Sequence, residues 1–200
     1  MIHMKKYIRE FVECEQGLAY VEFALSLSFL LILFLGSVEV TRCYLLTQKI
    51  EKTAFTAADV VTQTNPNTGP VTSSQMSQLM SAVTDMMTPY TTGASDPKIL
   101  VIVSDITKNG NSTPVLNWQY CGGGALSVSS TIGTTTGSAI TGSLPNGLSM
   151  NAGEEAVISE VFYNFLPIII GNGVLGSFQI YRTAVFMPRL GALTGFSSHC

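Results

Sequence analysis

Charged residues are scarce in this chain. Ten lysines and arginines stand against 13 acids, together 12% of the 200 residues, for a formal net charge of −3; an ordinary soluble domain carries about twice that share. Beyond Lys52 the basic residues are Lys98, Lys108, Arg182 and Arg189. They leave no basic patch to follow a phosphate backbone, which argues against nucleic acid as a partner. From Asn109 to Gly153 there is no charged residue at all. Cysteine is sparse too: Cys14, Cys43, Cys121 and Cys200 form no C-x-x-C pair, so neither a zinc ribbon nor a thioredoxin-type redox site is supported. The histidines, His3 and His199, lie near the two termini and outside any ligand-spaced cluster. Walker A, Gly-x-Ser-x-Gly and His-Glu-x-x-His patterns are missing. After Val71 the acids are Asp85, Asp96, Asp105, Glu154, Glu155 and Glu160, with no histidine among them. Glu154 and Glu155 are adjacent, so in a strand they face opposite ways. No catalytic constellation, cofactor or metal is expected.

What the chain does have is a long apolar run. Two hundred residues suit one globular domain plus an anchor. The polar start, Met1 to Gln16, sets Lys5, Lys6 and Arg9 against Glu10, Glu13 and Glu15, and its basic residues favour a cytoplasmic amino terminus. Phe23 to Val38 is uncharged and rises roughly 24 Å as a helix. With Leu18 to Val21 and the tail through Leu46 it is long enough to span a bilayer. A cleaved secretory signal would need a small-x-small site after the run, and "LFLGSVEVTRC" offers none. A lipoprotein site fails because Thr41 and Arg42 precede Cys43. A plain membrane helix fits but leaves Glu22 unexplained, since a carboxylate in hydrocarbon costs about 3 kcal/mol or more. A prepilin-type leader, cut on the cytoplasmic side of the run, makes Gly17 the last leader residue, Leu18 the new terminus and Glu22 the fifth mature residue, followed by Phe23.

The pattern Gly-x-x-x-x-Glu-aromatic at the edge of a membrane helix resembles prepilins of tight-adherence (Tad/Flp) pilus systems. The wider stretch "EQGLAYVEFALSLSFLLILFLGSVEVTRCYLLTQKIEKTAFTAADVV" resembles the start of TadE/TadG-like pilus-assembly proteins, and "YRTAVFMPRLG" resembles that family's closing strand and Pro-Arg. The resemblance implies a minor pseudopilin or structural component of a Tad pilus: a single-pass protein of the bacterial inner membrane, amino terminus cytoplasmic and head periplasmic. It implies membrane lipid, other pilins and pseudopilins, Tad assembly proteins and a prepilin peptidase as partners. It also implies a role for Glu22, which would meet the terminal amine of a neighbouring subunit. The alternative on the same residues is a carboxylate hydrated at headgroup depth. Cys121 and Cys200 both fall in the segment expected in the oxidising periplasm, so a disulfide between them is expected from that position.

Glu39 and Arg42, three apart, can pair on one helix face and would mark the periplasmic headgroup zone. The helix continues with a stripe of Leu46, Ile50, Ala54, Ala57, Ala58 and Val61, with Gln48, Lys49 and Lys52 off it; "NPNTGP" ends it near Gln63. A second helix, capped by Ser73 or Ser74, lines up Met76, Leu79, Met80, Val83, Met86 and Met87 on one face, a core stripe. "KILVIVSDI" reads as a buried strand. The Asn109-Gly110 turn makes residues 98–121 a hairpin, with Leu116, Trp118 and Tyr120 on one face. The sequon at Asn111 reads as chance.

Gly122 to Gly153, rich in Gly, Ser and Thr, is either a mobile loop or irregular strands over the sheet, or else an uncharged contact surface. Two more strands carry Val157, Val161, Tyr163 and Phe165, then Phe178, Ile180, Ala184 and Phe186, on one face each. Between them "IIIGNGVLG" packs on the core or touches the membrane surface. The expected architecture is α+β: a long amino-terminal membrane helix, then a small head with one short helix and a mostly antiparallel sheet of about four strands. The expected divisions are a leader at 1–17, membrane helix and stalk at 18–63, and a periplasmic head at 71–200. A membrane-tethered binding or adhesin-like module outside a pilus is the alternative function.

Overall fold

The structure, a computed structural model, describes residues 15–65, 67, 69–110, 112–169, 176–193 and 200. Most of the expected leader, with Cys14 and His3, lies outside them, as do the sequon's Asn111, residues 170–175 and His199. The chain falls into two compact units, Met1–Arg42 with Pro167–Gly176, and Cys43–Leu166 with Ser177–Cys200. The secondary elements are helix α1 (Glu15–Thr62), helix α2 (Ser73–Met86) and strands β1 (Ile99–Thr107), β2 (Val115–Gly122), β3 (Glu155–Phe165) and β4 (Phe178–Phe186). The strands form one antiparallel sheet in the order β2-β1-β3-β4. The fold is thus α+β, with the long helix first.

In the second unit, the α1 stripe drives assembly. Leu46, Ile50, Ala54, Ala57, Ala58 and Val61 are all buried, and they share one cluster with Met76, Met80 and Val83 of α2 and Val101, Val103, Trp118, Val157, Val161 and Ile180 of the sheet. Spacings of three and four place the stripe on one side of the helix. At the carboxyl end, Arg189 after β4 bonds back to α1. Its N–H donates to Thr62 O at 3.3 Å and its guanidinium pairs with Asp59 at 2.7 Å.

α2 begins one residue earlier than the serines suggest. Thr72 is the cap: its hydroxyl accepts from Gln75 N at 3.3 Å, while the Gln75 side chain accepts from Thr72 N at 2.9 Å. Only Thr72 has a Gln three residues on to complete this reciprocal capping box. The expected core stripe holds for Met76, Leu79, Met80, Val83 and Met87, whereas Met86 is 37% exposed; it sits at the edge of a stripe that Met87 completes.

β1 and β3 are central and buried along nearly their whole lengths, so both faces of the sheet are covered. The second cover is the uncharged segment after β2. Ile132 and Met150 pack with Ile106, Leu116, Ala156 and Ile158, and Leu126 and Val128 pack against Leu100, Ile102 and Phe162. The segment is laced down by backbone hydrogen bonds, Leu126 N to Ile99 O at 3.0 Å, Gly137 N to Leu116 O at 2.7 Å and Ile140 N to Pro114 O at 2.9 Å among them. Two glycines permit its closest approaches: a Cβ on Gly124 would stand 2.0 Å from Ile99 O, and one on Gly142 1.9 Å from Thr131 O. It is therefore a packed layer lying over the sheet, with one isolated bridge, Val115 to Ala139.

Leu116 departs from the expected face. The register slips between Asp105 and Ile106, so Trp118 pairs with Asp105 but Leu116 pairs with Ile106. The extra residue, Asn117, moves Leu116 to the far side, where it joins Ile106 and Ile132 rather than Trp118 and Tyr120. Cys121 and Cys200 are bonded, Sγ to Sγ 2.01 Å; Cys43 is the free cysteine among the described residues.

The small residues of the stripe generate a test. Ala57→Leu forces methylenes into a filled space and should cost about 2 kcal/mol, whereas Val60→Leu, on a half-exposed neighbour, should be near neutral. Denaturant midpoints of the full chain in detergent measure both. Equal midpoints would show that α1 is not packed as described.

Candidate functional site

The expected processing and assembly residues all lie in the first turns of α1. Gly17 and Leu18 are already helical. Leu18 is 60% and Phe23 64% exposed, and Glu22 is exposed as well. Leu18 and Glu22, four apart, lie one turn from each other on the same side of the helix. Glu22 is the only charged side chain between Gly17 and Val38.

From Leu18 to Leu35 every large apolar side chain points away from protein. A helix apolar all round and uncovered in its own fold is suited to hydrocarbon rather than water. Three of its hydroxyls bond back along the helix: Ser28 donates to Ala24 O at 2.8 Å, Ser37 to Phe34 O at 2.7 Å and Thr41 to Ser37 O at 2.8 Å, so these three would not be stranded in lipid. α1 is long and apolar enough to cross a membrane.

Just past this run stands Glu39, which sequence reasoning paired with Arg42 and otherwise left to the headgroups. The pair is present at 2.8 Å, but Glu39 is only 3% exposed. Its second oxygen accepts the backbone N–H groups of Ile168 at 3.3 Å and Ile169 at 3.0 Å.

Within the head, three acids have structural roles that no spacing in the sequence announced. Glu160, central in β3 and fully buried, holds down the covering layer: Ser130 Oγ donates to one oxygen, and Thr131 Oγ1, Thr131 N at 3.1 Å and Tyr181 OH at 3.0 Å donate to the other. Burial first, and then the Glu160 charge beside it, raise the Tyr181 phenol above its ordinary range; the phenol therefore stays a donor.

Asp96 anchors the turn before β1. Burial pushes its carboxyl up, but donors at Lys98 N and at Thr92 N and Oγ1, with the Lys98 charge, carry it below the usual range. Asp105 is the opposite case. Buried in β1, it accepts from Asn117 Nδ2 at 2.8 Å, while the Glu155 carboxylate beside it adds charge and a second acceptor. Burial first, then Glu155, raise the Asp105 carboxyl to about 8. A proton held there turns a repulsion into a hydrogen bond. The legible signal was an aspartate inside an otherwise apolar strand.

Among the described residues no group of three or more His, Cys, Asp or Glu could hold a metal. What the geometry defines is a protein with a membrane-length amino-terminal helix leading into a disulfide-bonded α+β head, its conspicuous acids used to bind backbone and hydroxyl groups. The family model described as TadE-like protein matches residues 17–59, from Gly17 through most of the buried stripe. The match thus lies on α1 and takes in its uncovered apolar run. No curated protein and no solved structure matches the chain.

Removing the Glu160 carboxylate should unseat the covering layer. Glu160→Ala removes the shared acceptor of several part-buried donors and should cost about 2 kcal/mol, with faster proteolysis between Gly122 and Gly153. Glu160→Gln keeps an acceptor and should lose less. Unchanged denaturation and proteolysis in Glu160→Ala would contradict the clamp.

Asp105 also makes a signed pH prediction. Its folded carboxyl, near 8, lies above the ordinary 3.8, so the folded chain holds a proton that the unfolded chain releases. Stability from this group is present at low pH, falls as pH rises between those values, and levels off above. Asp105→Asn keeps an acceptor for Asn117 and supplies a permanent donor, so it should flatten that decline and raise stability at pH 8 to 9 relative to the parent. Denaturant midpoints from about pH 4 to pH 9 decide it; parallel curves over that span would refute the shift.

Proposed function

We propose that this protein is a minor pseudopilin or structural component in the assembly of a Tad (Flp-type) pilus. The observation that carries the reading is the TadE-like match, which opens at Gly17 on a helix with no protein cover. On this reading α1 anchors the chain in the bacterial inner membrane as a single pass, with the amino terminus cytoplasmic and the head periplasmic. A prepilin peptidase cuts between Gly17 and Leu18. Glycine weakens the helix there, by about 1 kcal/mol relative to alanine, which eases the unwinding that cleavage requires. The mature chain then presents the Leu18 amine one turn from Glu22 and Phe23. Glu22 pairs with the amine of a neighbouring pilin or pseudopilin, since two buried charges that meet are tolerated where one alone is not. The work is structural, with lipid and Tad assembly proteins as further partners, and no reaction follows.

A second reading, a membrane-tethered binding or adhesin-like module, is favoured by one observation. A cavity of about 340 Å³ opens on the outer face of the sheet, lined by Ile102, Gln119, Val128, Ser129, Ser130 and Thr134 among others, without a charged side chain. Such a lining suits a small uncharged ligand.

The test is the amino terminus of the mature protein together with Glu22. Intact mass of native, membrane-extracted protein should give a chain beginning at Leu18. Glu22→Ala and Glu22→Gln should leave subunit level and head protease resistance unchanged while reducing piliation and subunit crosslinking. An uncut chain in cells with an active prepilin peptidase, or full piliation in both variants, would overturn the corresponding step.

A further inference from the structure

The connection between β3 and β4 holds no charged residue: between Glu160 and Arg182 there is none. Its first part belongs to the same compact unit as the apolar half of α1. There, the backbone N–H groups of Ile168 and Ile169 close on Glu39, whose other oxygen holds Arg42 at 2.8 Å. Glu39 is 3% exposed on a helix whose adjacent side chains, Val38 and Val40, are 40% and 70% exposed. The turn that covers the carboxylate leaves its own side chains outside: Ile168 is 69% and Ile169 37% exposed.

Position along the helix says what meets them. Leu18 to Val38 rises about 31 Å, close to the roughly 30 Å hydrocarbon thickness of a bilayer. Glu39 is the next residue, so the turn is pinned where the hydrocarbon ends. A lone carboxylate at that depth is costly; the ion pair and two backbone donors remove the cost. They also fix two isoleucines at the level of the acyl-chain boundary, where apolar side chains gain by leaving water. We infer that Ile168 and Ile169 form a second membrane contact, a short apolar wedge that Glu39 holds in the outer leaflet beside the spanning helix. The partner is the lipid surface itself. The inference rests on the proposed membrane-spanning role of α1 and goes beyond it, because a spanning helix alone leaves the β3–β4 connection in water.

Tryptophan reporters in the full chain, reconstituted into phosphatidylcholine vesicles with and without acyl-chain bromination, separate the two claims. The parent, with its buried Trp118, supplies the baseline. Leu30→Trp reports on the spanning helix and Ile168→Trp on the wedge. Both should show blue-shifted emission quenched by the brominated lipid, Leu30→Trp more strongly. Adding Glu39→Ala should shift the Ile168→Trp emission to the red and remove its quenching while leaving that of Leu30→Trp unchanged. Quenching at Leu30→Trp with none at Ile168→Trp would overturn the wedge and leave the anchor standing. No quenching at either would overturn the spanning reading. A blue-shifted Ile168→Trp that bromination does not touch would mean protein contact, and would also overturn the wedge. Quenching at Ile168→Trp that survives Glu39→Ala would overturn the part assigned to Glu39.

Discussion

The head depends on one packing constraint, the close approach of α1 to the sheet along Leu46, Ile50, Ala54, Ala57, Ala58 and Val61. Without that stripe the inner faces of β1 and β3 would lie open, and a sheet apolar on both faces cannot stand in water. α2 widens the same cover through Met76, Met80 and Val83. Arg189 closes the end of α1 and brings the segment after β4 back to it. The match to TadE-like protein runs from Gly17 to residue 59, so it takes in both the uncovered apolar run and most of the stripe. One helix is built for two surroundings: apolar on every side up to Val38, apolar along a single stripe after Cys43.

The outer face of the sheet is solved differently. An uncharged segment with many glycines cannot be held by ion pairs, and its few apolar anchors, Ile132, Met150, Leu126 and Val128, are spaced without period. Glu160 supplies what packing alone does not, an acceptor pair buried in β3 that gathers Ser130, Thr131 and Tyr181. Asp96 does the same for the turn before β1, and Glu39 for the turn after β3. In a chain so poor in charge, carboxylates serve as acceptors for backbone and hydroxyl donors, which hold irregular segments in place. Asp105 is the exception: its neighbours include another acid, and it stabilises the fold only while it keeps its proton.

The proposed pilus role and this architecture fit together through exposure. Glu22 and Phe23 point outward from the helix, available to a neighbour in the membrane. Glu160 and Asp96 of the head, by contrast, are occupied with the head's own loops. A subunit of this design would assemble through its helix.

Periodicity alone determined much of this. The α1 stripe, the inward face of α2 up to Met86, the hairpin turn at Gly110 and the alternation of β3 and β4 are local patterns, written in spacings of two, three and four, and they set which side of each element faces the core. The Gly17–Glu22–Phe23 pattern was legible for the same reason, since it is contiguous. Thr72 rather than Ser73 as the cap was legible too, in the Thr72-x-x-Gln75 spacing that sequence reasoning passed over. Tertiary structure alone decided the rest. Leu116 changed sides because a bulge is a property of two paired strands, and neither strand reveals it by itself. The role of Glu160 was invisible because Ser130 and Thr131 lie 30 and 29 residues away in a segment with no period and Tyr181 lies 21 residues away on another strand, and that of Glu39 because its donors are 129 and 130 residues distant. A hydrogen bond between residues so far apart in the chain leaves no spacing to read; it exists only once the fold has brought them together.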